Sequence, residues 1–265
     1  MVIFGMGAII SIVNQKGGVG KTTTAVNLAA SIAIAEKRCL LLDCDPQGNA
    51  TTSFGIDPSG LNPSIYQLLL GQEVEREVIL DTDLPMLKLI GANPDLYGAE
   101  VEMISKEHRE YLLHDIVSAL REQYDYIFID CPPSLGFLTL NALTAADLYL
   151  VPLQCEYLAM EGLTQLLNTI KLVKKGLNPS LSMFGVLLTM FDRRNNLSFQ
   201  VADEVRHHLK DSVFQTVIPR NVALSEASSY GKPIILYNIR SKGAQSYLEL
   251  AREIIERGGN RGAQT

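Results

Sequence analysis

The feature that most constrains this chain is a turn rich in glycine and lysine between a strand pattern and a helix pattern. It runs Asn14-Gln15-Lys16-Gly17-Gly18-Val19-Gly20-Lys21-Thr22-Thr23, after the apolar run Ala8–Val13 and into the helical pattern Thr22–Ala35. Glycines let successive N–H groups of such a turn point at phosphate oxygens, and the helix N-terminus adds partial positive charge. Lys21 would then bridge the β- and γ-phosphates and Thr22 would ligate Mg²⁺. The turn therefore predicts a nucleotide phosphate site.

Short apolar runs alternate with longer helical patterns along the whole chain. The predicted strands are Ala8–Val13, Cys39–Asp43, Tyr126–Asp130, Leu148–Pro152 and Phe184–Thr189. The predicted helices are Thr22–Ala35, Arg109–Gln123, Leu163–Lys174, Ser198–Leu209 and Ala244–Arg257. Continuous apolar runs are typical of strands covered on both faces, and this alternation favours a doubly wound sheet. We expect one α/β domain over residues 1–265 with a mostly parallel sheet, and a flexible tail over 258–265.

Composition excludes several other classes of protein. Of the 265 residues, 47% are hydrophobic and 20% are charged, as in a soluble globular domain. No apolar run approaches the roughly 20 residues of a membrane span, and the first residues lack the pattern of a signal peptide. Four scattered cysteines indicate reduced thiols and a cytoplasmic location. Because the net charge is -6, nucleic-acid binding would require a local basic patch.

Acidic residues end two of the predicted strands. Asp43 and Asp45 close the second strand pattern, and Asp130 closes the third. Ligand sites of parallel sheets lie at the carboxyl ends of the strands, which places these carboxylates beside the phosphate turn. An apolar strand ending in aspartate is a Walker B pattern, whose carboxylate holds Mg²⁺ through water. The sequence therefore predicts a metal-dependent nucleotide site at this edge of the sheet.

The phosphate turn departs from the common G-x-x-x-x-G-K-[ST] pattern, because Gln15 replaces the first glycine and Lys16 follows it. This form resembles the deviant Walker A motif of the ParA/MinD superfamily. Further segments are similar to ParA/Soj chromosome-partition ATPases: Asp45–Asn49, Asp130–Ser134, Pro152–Tyr157, Glu161–Leu163, Ile218–Val222 and Leu224–Ala227. The resemblance covers nearly the whole chain and implies a P-loop NTPase fold of the deviant Walker A type.

The resemblance also implies roles for individual residues. In such proteins the extra lysine, here Lys16, reaches across a dimer interface to the phosphates of a second copy, while Lys21 acts within its own copy. Asp45 would orient the attacking water, so that Lys16, Lys21 and Asp45 form the catalytic set. Mg²⁺ would be held by Thr22, Asp43 and Asp130. ATP would contact the loop from Lys16 to Thr23 and, through its base, Met190, Asp192, Pro219 and Asn221.

The implied function is Mg²⁺-dependent ATP hydrolysis by a dimer that segregates chromosome or plasmid DNA. The ATP-bound homodimer would bind DNA non-specifically and associate with the nucleoid, and a ParB-like centromere-binding protein would stimulate a weak ATPase. The basic candidates for DNA contact are Arg193, Arg194, Arg206, Lys210, Arg220, Lys232, Arg240 and Lys242. Ala223 stands where the family often has a basic residue, which shifts the prediction to Arg193, Arg194, Arg220 and Arg240.

Two other functions stay open at this point. One is a membrane-associated site-placement ATPase of the MinD type, and the other is ATP-gated positioning of a protein cargo with little DNA affinity, which Ala223 keeps open. The C-terminal pattern Tyr247–Arg257 contains three glutamates and two arginines, a net charge of -1, whereas an anionic membrane attracts basic helices. Its apolar stripe of Leu248, Ala251, Ile254 and Ile255 is therefore predicted to pack against the core, and no membrane partner is expected.

Overall fold

The computed structural model of the chain describes residues 7–72 and 78–262. Within these residues a seven-stranded sheet has the order β3-β4-β2-β5-β1-β6-β7. The strands are β1 (Ala8–Ile12), β2 (Cys39–Asp43), β3 (Leu80–Asp81), β4 (Leu87–Ile90), β5 (Tyr126–Asp130), β6 (Leu148–Gln154) and β7 (Ser182–Thr189). All neighbours pair in parallel except β3, which pairs antiparallel with β4. The expected α/β fold with a mostly parallel sheet is confirmed.

Helices cover both faces of this sheet. They are α1 (Lys21–Ile34), α2 (Asn49–Thr52), α3 (Ile65–Leu69), α4 (Leu96–Glu102), α5 (Leu112–Leu120), α6 (Phe137–Ala145), α7 (Ala159–Gly176), α8 (Asn196–Leu209), α9 (Val222–Ser229), α10 (Ile234–Tyr237) and α11 (Lys242–Gly262). The backbone of the predicted tail, 258–265, is thus helical as far as Gly262, and residues 263–265 lie outside the described part of the chain.

Burial of the sheet on both faces explains the continuous apolar runs. Along β2, Leu40 and Leu42 belong to one core cluster, whereas Cys39 and Leu41 belong to the other. Helices α3 to α8 contribute to the first cluster, and α1, α9, α10 and α11 contribute to the second. Because alternate side chains point to opposite faces of a strand, each position must be apolar when both faces are covered.

The apolar stripe of the C-terminal helix packs against the protein core, as the sequence predicts. Ala251 and Ile254 are buried in the same cluster as α1, and Leu248 packs at the edge of that cluster. The apolar face of α11 is therefore occupied by the protein core. Among the described helices, we find none with the length and apolar character that a membrane span requires.

Sheet register brings the predicted acidic residues to one edge. Asp43 of β2 lies opposite Asp130 of β5, and Asp130 in turn lies opposite Ile12 at the end of β1. The phosphate turn directly follows β1 in the chain, so it starts beside both carboxylates. The carboxyl edge of the sheet is therefore the place where the phosphate turn and the acidic strand ends meet.

Candidate nucleotide site

The loop between β1 and α1 needs glycine at two positions. Gly18 and Gly20 have φ angles of 75° and 89°, in the left-handed region that side-chain-bearing residues rarely adopt. Gly20 directly precedes the helix, so the chain turns sharply into α1 with its first N–H groups open. Asn14 fixes the entry to the loop, because its amide donates to the carbonyl of Pro152 (2.7 Å) and accepts from the N–H of Lys16 (3.0 Å).

Lys21 is buried and curls back over this loop. Only 6% of the residue is exposed, and its Nζ donates to the carbonyl oxygen of Lys16 at 3.2 Å. Burial lowers the pKa of Lys21, while the nearby Asp130 and Asp45 carboxylates oppose that shift. A desolvated cation held inside a loop of open N–H groups attracts a polyphosphate strongly.

Asp130 presents a carboxylate with no ordinary partner. It is completely buried, and within the described residues neither oxygen has a hydrogen bond of normal geometry, although the adjacent Thr22 hydroxyl favours its ionised form. Burial and the neighbouring Asp43 raise its pKa well above the usual range. Buried oxygens of this kind fit a cation, because a buried carboxylate otherwise requires a compensating charge.

Asp43 and Asp45 have different hydrogen-bond partners and therefore different roles at this edge of the sheet. Asp43 is buried and accepts from the N–H and hydroxyl of Thr51 (2.8 and 2.7 Å) and from the N–H of Asp45 (3.2 Å). Burial raises the pKa of Asp43 to about 6, against these hydrogen bonds. Asp45 accepts from the N–H of Gln47 at 3.0 Å and is 5% exposed. Asp43 thus holds the β2–α2 loop in shape, and the loop holds Asp45 at the site.

No group of three or more His, Cys, Asp or Glu side chains in the described residues forms a metal cage. Magnesium is usually bound by one or two carboxylates together with waters and substrate phosphates, so it needs no such cage. Thr22 with Asp130 is a donor set of that kind, with Asp43 beside it.

A cavity of about 330 Å³ opens beside the loop, on the side of β7. Met190, Pro219 and Asn221, which were predicted to contact the base, line it. The amide oxygen of Asn221 is buried and lacks a hydrogen-bond partner in the described part of the chain, so it can accept from a bound base. Gly20 and Thr23 of the predicted phosphate loop line it as well. The prediction did not place the other lining residues at the nucleotide site: Thr189, Ile218, Arg220, Val222, Leu224, Ser225 and Tyr247.

Asp192 lies elsewhere. Instead of lining the cavity, it lines a neighbouring groove, where its carboxylate accepts from the Arg194 guanidinium at 3.0 and 3.1 Å. These hydrogen bonds lower the pKa of Asp192 to about 2. In this structure the carboxylate therefore faces a cation and lies outside the lining of the base cavity, and contact between Asp192 and a base stays a prediction.

The groove beside Asp192 gathers the predicted basic residues. It has a volume of about 630 Å³, and Arg193, Arg194, Arg220 and Arg240 all line it. Lys242 joins them, and the acidic members of the lining are Asp192 and Glu249. Five cations against two anions leave this groove positive in a chain whose formal net charge is -6. The structure thus brings together basic residues that are up to 49 positions apart in the sequence, from Arg193 to Lys242.

Lys16 points away from its own loop. Its ammonium forms an ion pair with Glu156, and 47% of the Lys16 side chain remains exposed. Lys21 therefore supplies the buried cation of the loop, while Lys16 supplies a second cation at the surface of the same edge.

A buried lysine inside a glycine loop, a Walker B aspartate on the adjacent strand and an extra surface lysine define a P-loop NTPase of the deviant Walker A type. A family model described as an AAA domain matches residues 7–183. The chain belongs to the ParA/Soj family of chromosome-partitioning ATPases.

The relatives match along nearly their whole length. The chromosome partitioning protein ParA of Myxococcus xanthus is 58% identical over 95% of this chain and 89% of its own length. The sporulation initiation inhibitor protein Soj of Bacillus subtilis is 54% identical over 96% of this chain and 100% of its own. Among solved structures, cobyrinic acid a,c-diamide synthase from Mycobacterium smegmatis with bound ADP and magnesium has a TM-score of 0.83 and 39% identity, covering 95% of each chain.

Proposed function

We propose that this chain binds Mg²⁺ and ATP at the carboxyl edge of its sheet and hydrolyses the bond between the β- and γ-phosphates, with ADP and phosphate as products. The loop with Lys21 receives the phosphates, and the cavity beside Asn221 receives the base. Its volume of about 330 Å³ lies in the range of small-ligand pockets. The similar M. smegmatis protein, crystallised with ADP and magnesium, supports this assignment.

The residues that would hold Mg²⁺ are Thr22 and Asp130, with Asp43 supporting its water shell. Bound there, Mg²⁺ would neutralise charge on the β- and γ-phosphates. Asp45 lies on a loop fixed by hydrogen bonds and would orient the attacking water. Lys21 stabilises the negative charge that develops on the transferred group, because it is already desolvated and needs no rearrangement.

We further propose that ATP makes two copies dimerise and that the dimer binds DNA. The exposed cation of Lys16 would reach the phosphates bound by the second copy, so that nucleotide and association are coupled. One observation carries the DNA proposal: Pro219 and Arg220 line both the base cavity and the basic groove. A nucleotide in the base cavity would therefore contact residues that also form the basic groove. A ParB-like activator stays a prediction.

Salt dependence tests the DNA proposal. Each arginine that contacts a phosphate should contribute about one unit to the slope of log affinity against log salt. We expect Arg240→Ala to reduce that slope by about one and to weaken binding of any duplex sequence in the presence of a non-hydrolysable ATP analogue. Lys171→Ala, an exposed cation on α7, should leave the slope unchanged. Fluorescence anisotropy with a labelled duplex measures both quantities.

A flat salt slope with the parent chain, or equal binding with ADP and with the analogue, would contradict the DNA proposal. If dimers nevertheless form, the positioning of a protein cargo becomes the better explanation.

A smaller effect, on ATP binding, is expected from substitution of Thr189, whose side chain links β7 to the phosphate loop by a hydrogen bond. Its buried hydroxyl donates to the carbonyl oxygen of Val19 at 2.8 Å. Thr189→Val keeps the shape but leaves that carbonyl unpaired, which loosens the phosphate loop; we expect ATP binding to weaken by at most about fivefold, the equivalent of about 1 kcal/mol. Titration with a fluorescent ATP analogue measures the change. The matched control is Thr164→Val, which removes a similar bond to Met160 on an exposed face of α7 and should leave affinity unchanged.

A further inference from the structure

The loop after β6 carries the most exposed of the large apolar side chains in the described residues. Tyr157 is 84% exposed, and the adjacent Leu158 is 58% exposed. Single apolar residues on a surface are ordinary, but a group of them next to a functional site marks an interaction surface. These two are neighbours in sequence and project from a loop at the carboxyl edge of the sheet.

Strand order places this pair beside the surface lysine. Strands β5, β1 and β6 are adjacent and parallel, so the loops that follow them leave the same edge side by side. The β5 loop carries Leu135, which is 37% exposed, and the β1 loop carries Lys16. The β6 loop carries Glu156 and, directly after it, Tyr157. The ion pair between Lys16 and Glu156 shows that these loops touch. The loops on either side of the Lys16 loop thus each carry an exposed apolar side chain.

The charges in this patch favour a second copy of the same chain as the occupant. Lys16 and Glu156 carry opposite charges, lie next to each other, and are 47% and 34% exposed in their side chains. A two-fold symmetric contact brings a patch against itself, so that away from the axis residue i of one copy contacts residue j of the other while j contacts i. Each Lys16 can then face negative charge on the other copy, and each Glu156 can face positive charge. A patch of only one sign would repel its own copy.

We propose that Tyr157 and Leu158 are the apolar anchors of a self-docking face centred on the Lys16–Glu156 pair. The inference rests on the proposed ATP-dependent dimer and adds the residues that bury surface in it. A lysine that reaches a phosphate supplies charge, but exposed charge pairs contribute little to stable association. Aromatic side chains in the desolvated centre of an interface contribute most of its binding energy. Tyr157 is available for this because the fold leaves it almost fully open.

Sedimentation velocity over a range of protein concentrations, with Mg²⁺ and a non-hydrolysable ATP analogue, tests the proposal. We expect Tyr157→Ser and Leu158→Ser each to raise the dimer dissociation constant at least tenfold. Binding of a fluorescent ATP analogue to the monomer should stay at the parent affinity, which also shows that the variants fold. Leu172→Ser is the matched control: Leu172 is 71% exposed and lies on α7 far from this loop, so its dimer should match the parent.

Crosslinking provides an independent measurement. The four cysteines of the chain are buried, so a cysteine placed at position 157 is the one that a bis-maleimide should reach first. Tyr157→Cys should crosslink to a second copy with the ATP analogue and not with ADP, whereas Leu172→Cys should crosslink with neither.

Two outcomes overturn the proposal, and they differ. If the parent dimerises while both serine variants keep its dissociation constant and Tyr157→Cys fails to crosslink, the dimer uses another face and the proposed function stands. If the parent remains monomeric with the analogue at every concentration, the proposed dimer fails and this inference fails with it.

Discussion

Replacing Lys21 by alanine should weaken ATP binding by more than about 100-fold. Lys21 is the buried cation of the phosphate loop, held over it by the hydrogen bond to the carbonyl of Lys16. Its removal takes away charge-assisted bonds to phosphate, each worth about 1.5–3 kcal/mol, and leaves Asp130 to repel the polyphosphate. With two such bonds lost, affinity should fall by more than about 100-fold. Isothermal titration with ATP and Mg²⁺ measures the loss.

Lys16→Ala is the matched control for this experiment. Lys16 is a lysine of the same loop, but its side chain is half exposed and pairs with Glu156. Its backbone carbonyl, which Lys21 uses, is unaffected by the substitution. We therefore expect the Lys16 variant to bind ATP with nearly parent affinity and to stay monomeric. Equal loss of ATP binding in both variants would contradict the division of labour between the two lysines.

The strands and the phosphate loop could be predicted because strong local rules govern them. A fully covered parallel strand must be apolar at every position, so Cys39–Asp43 and Tyr126–Asp130 have the predicted bounds. The left-handed backbone of Gly18 and Gly20 likewise allows few alternatives to glycine. In each of these cases a short stretch of sequence is enough to determine the local backbone.

Helix α6 was missed because its environment hides the helical period. Most of its side chains are buried, including the polar Thr139, Asn141 and Thr144, so no solvated face interrupts the apolar positions. Asn141 donates to the carbonyl of Phe137 in its own helix, and tertiary contacts complete its hydrogen bonding: it also donates to the carbonyl of Arg109 and accepts from the N–H of Leu113. Helical periodicity shows in a sequence only when an apolar face alternates with a polar face, and the two faces of α6 differ little in polarity.

The base cavity and the basic groove depend on tertiary structure in the same way. Tyr247 lines the cavity from α11, and its hydroxyl lies 3.2 Å from that of Thr24 in the first turn of α1. Nothing local in the sequence around Tyr247 indicates a ligand site, because the residue also fits the core face of a helix. The orientation of Asp192 has a local cause instead, because Arg194, two positions further along the chain, holds its carboxylate.

Asp45→Ala should leave ATP binding intact and reduce hydrolysis by about 100-fold or more, the usual contribution of a positioned acid–base group. Asp45 is 5% exposed on the loop after β2, close enough to Lys21 to affect its pKa. The loop should keep its shape without this side chain, because Asp43 holds it through the N–H and hydroxyl of Thr51. Under the proposed function, ATP-bound dimers then accumulate instead of dissociating.

Size-exclusion chromatography with ATP and with ADP, combined with phosphate-release kinetics, separates the two effects of this substitution. Asp45→Asn keeps an oxygen for the N–H of Gln47 while removing the negative charge, so it should hydrolyse as slowly as the alanine variant. Asp57→Ala removes an exposed aspartate whose described hydrogen bonds are to Ser59, and it should hydrolyse ATP at the parent rate. Parent-like hydrolysis by Asp45→Ala would show that another group orients the water. Slow hydrolysis without a lasting dimer would instead show that ATP hydrolysis and dimer dissociation are not coupled. The cation of Lys16 would then have to act on the phosphates of its own copy.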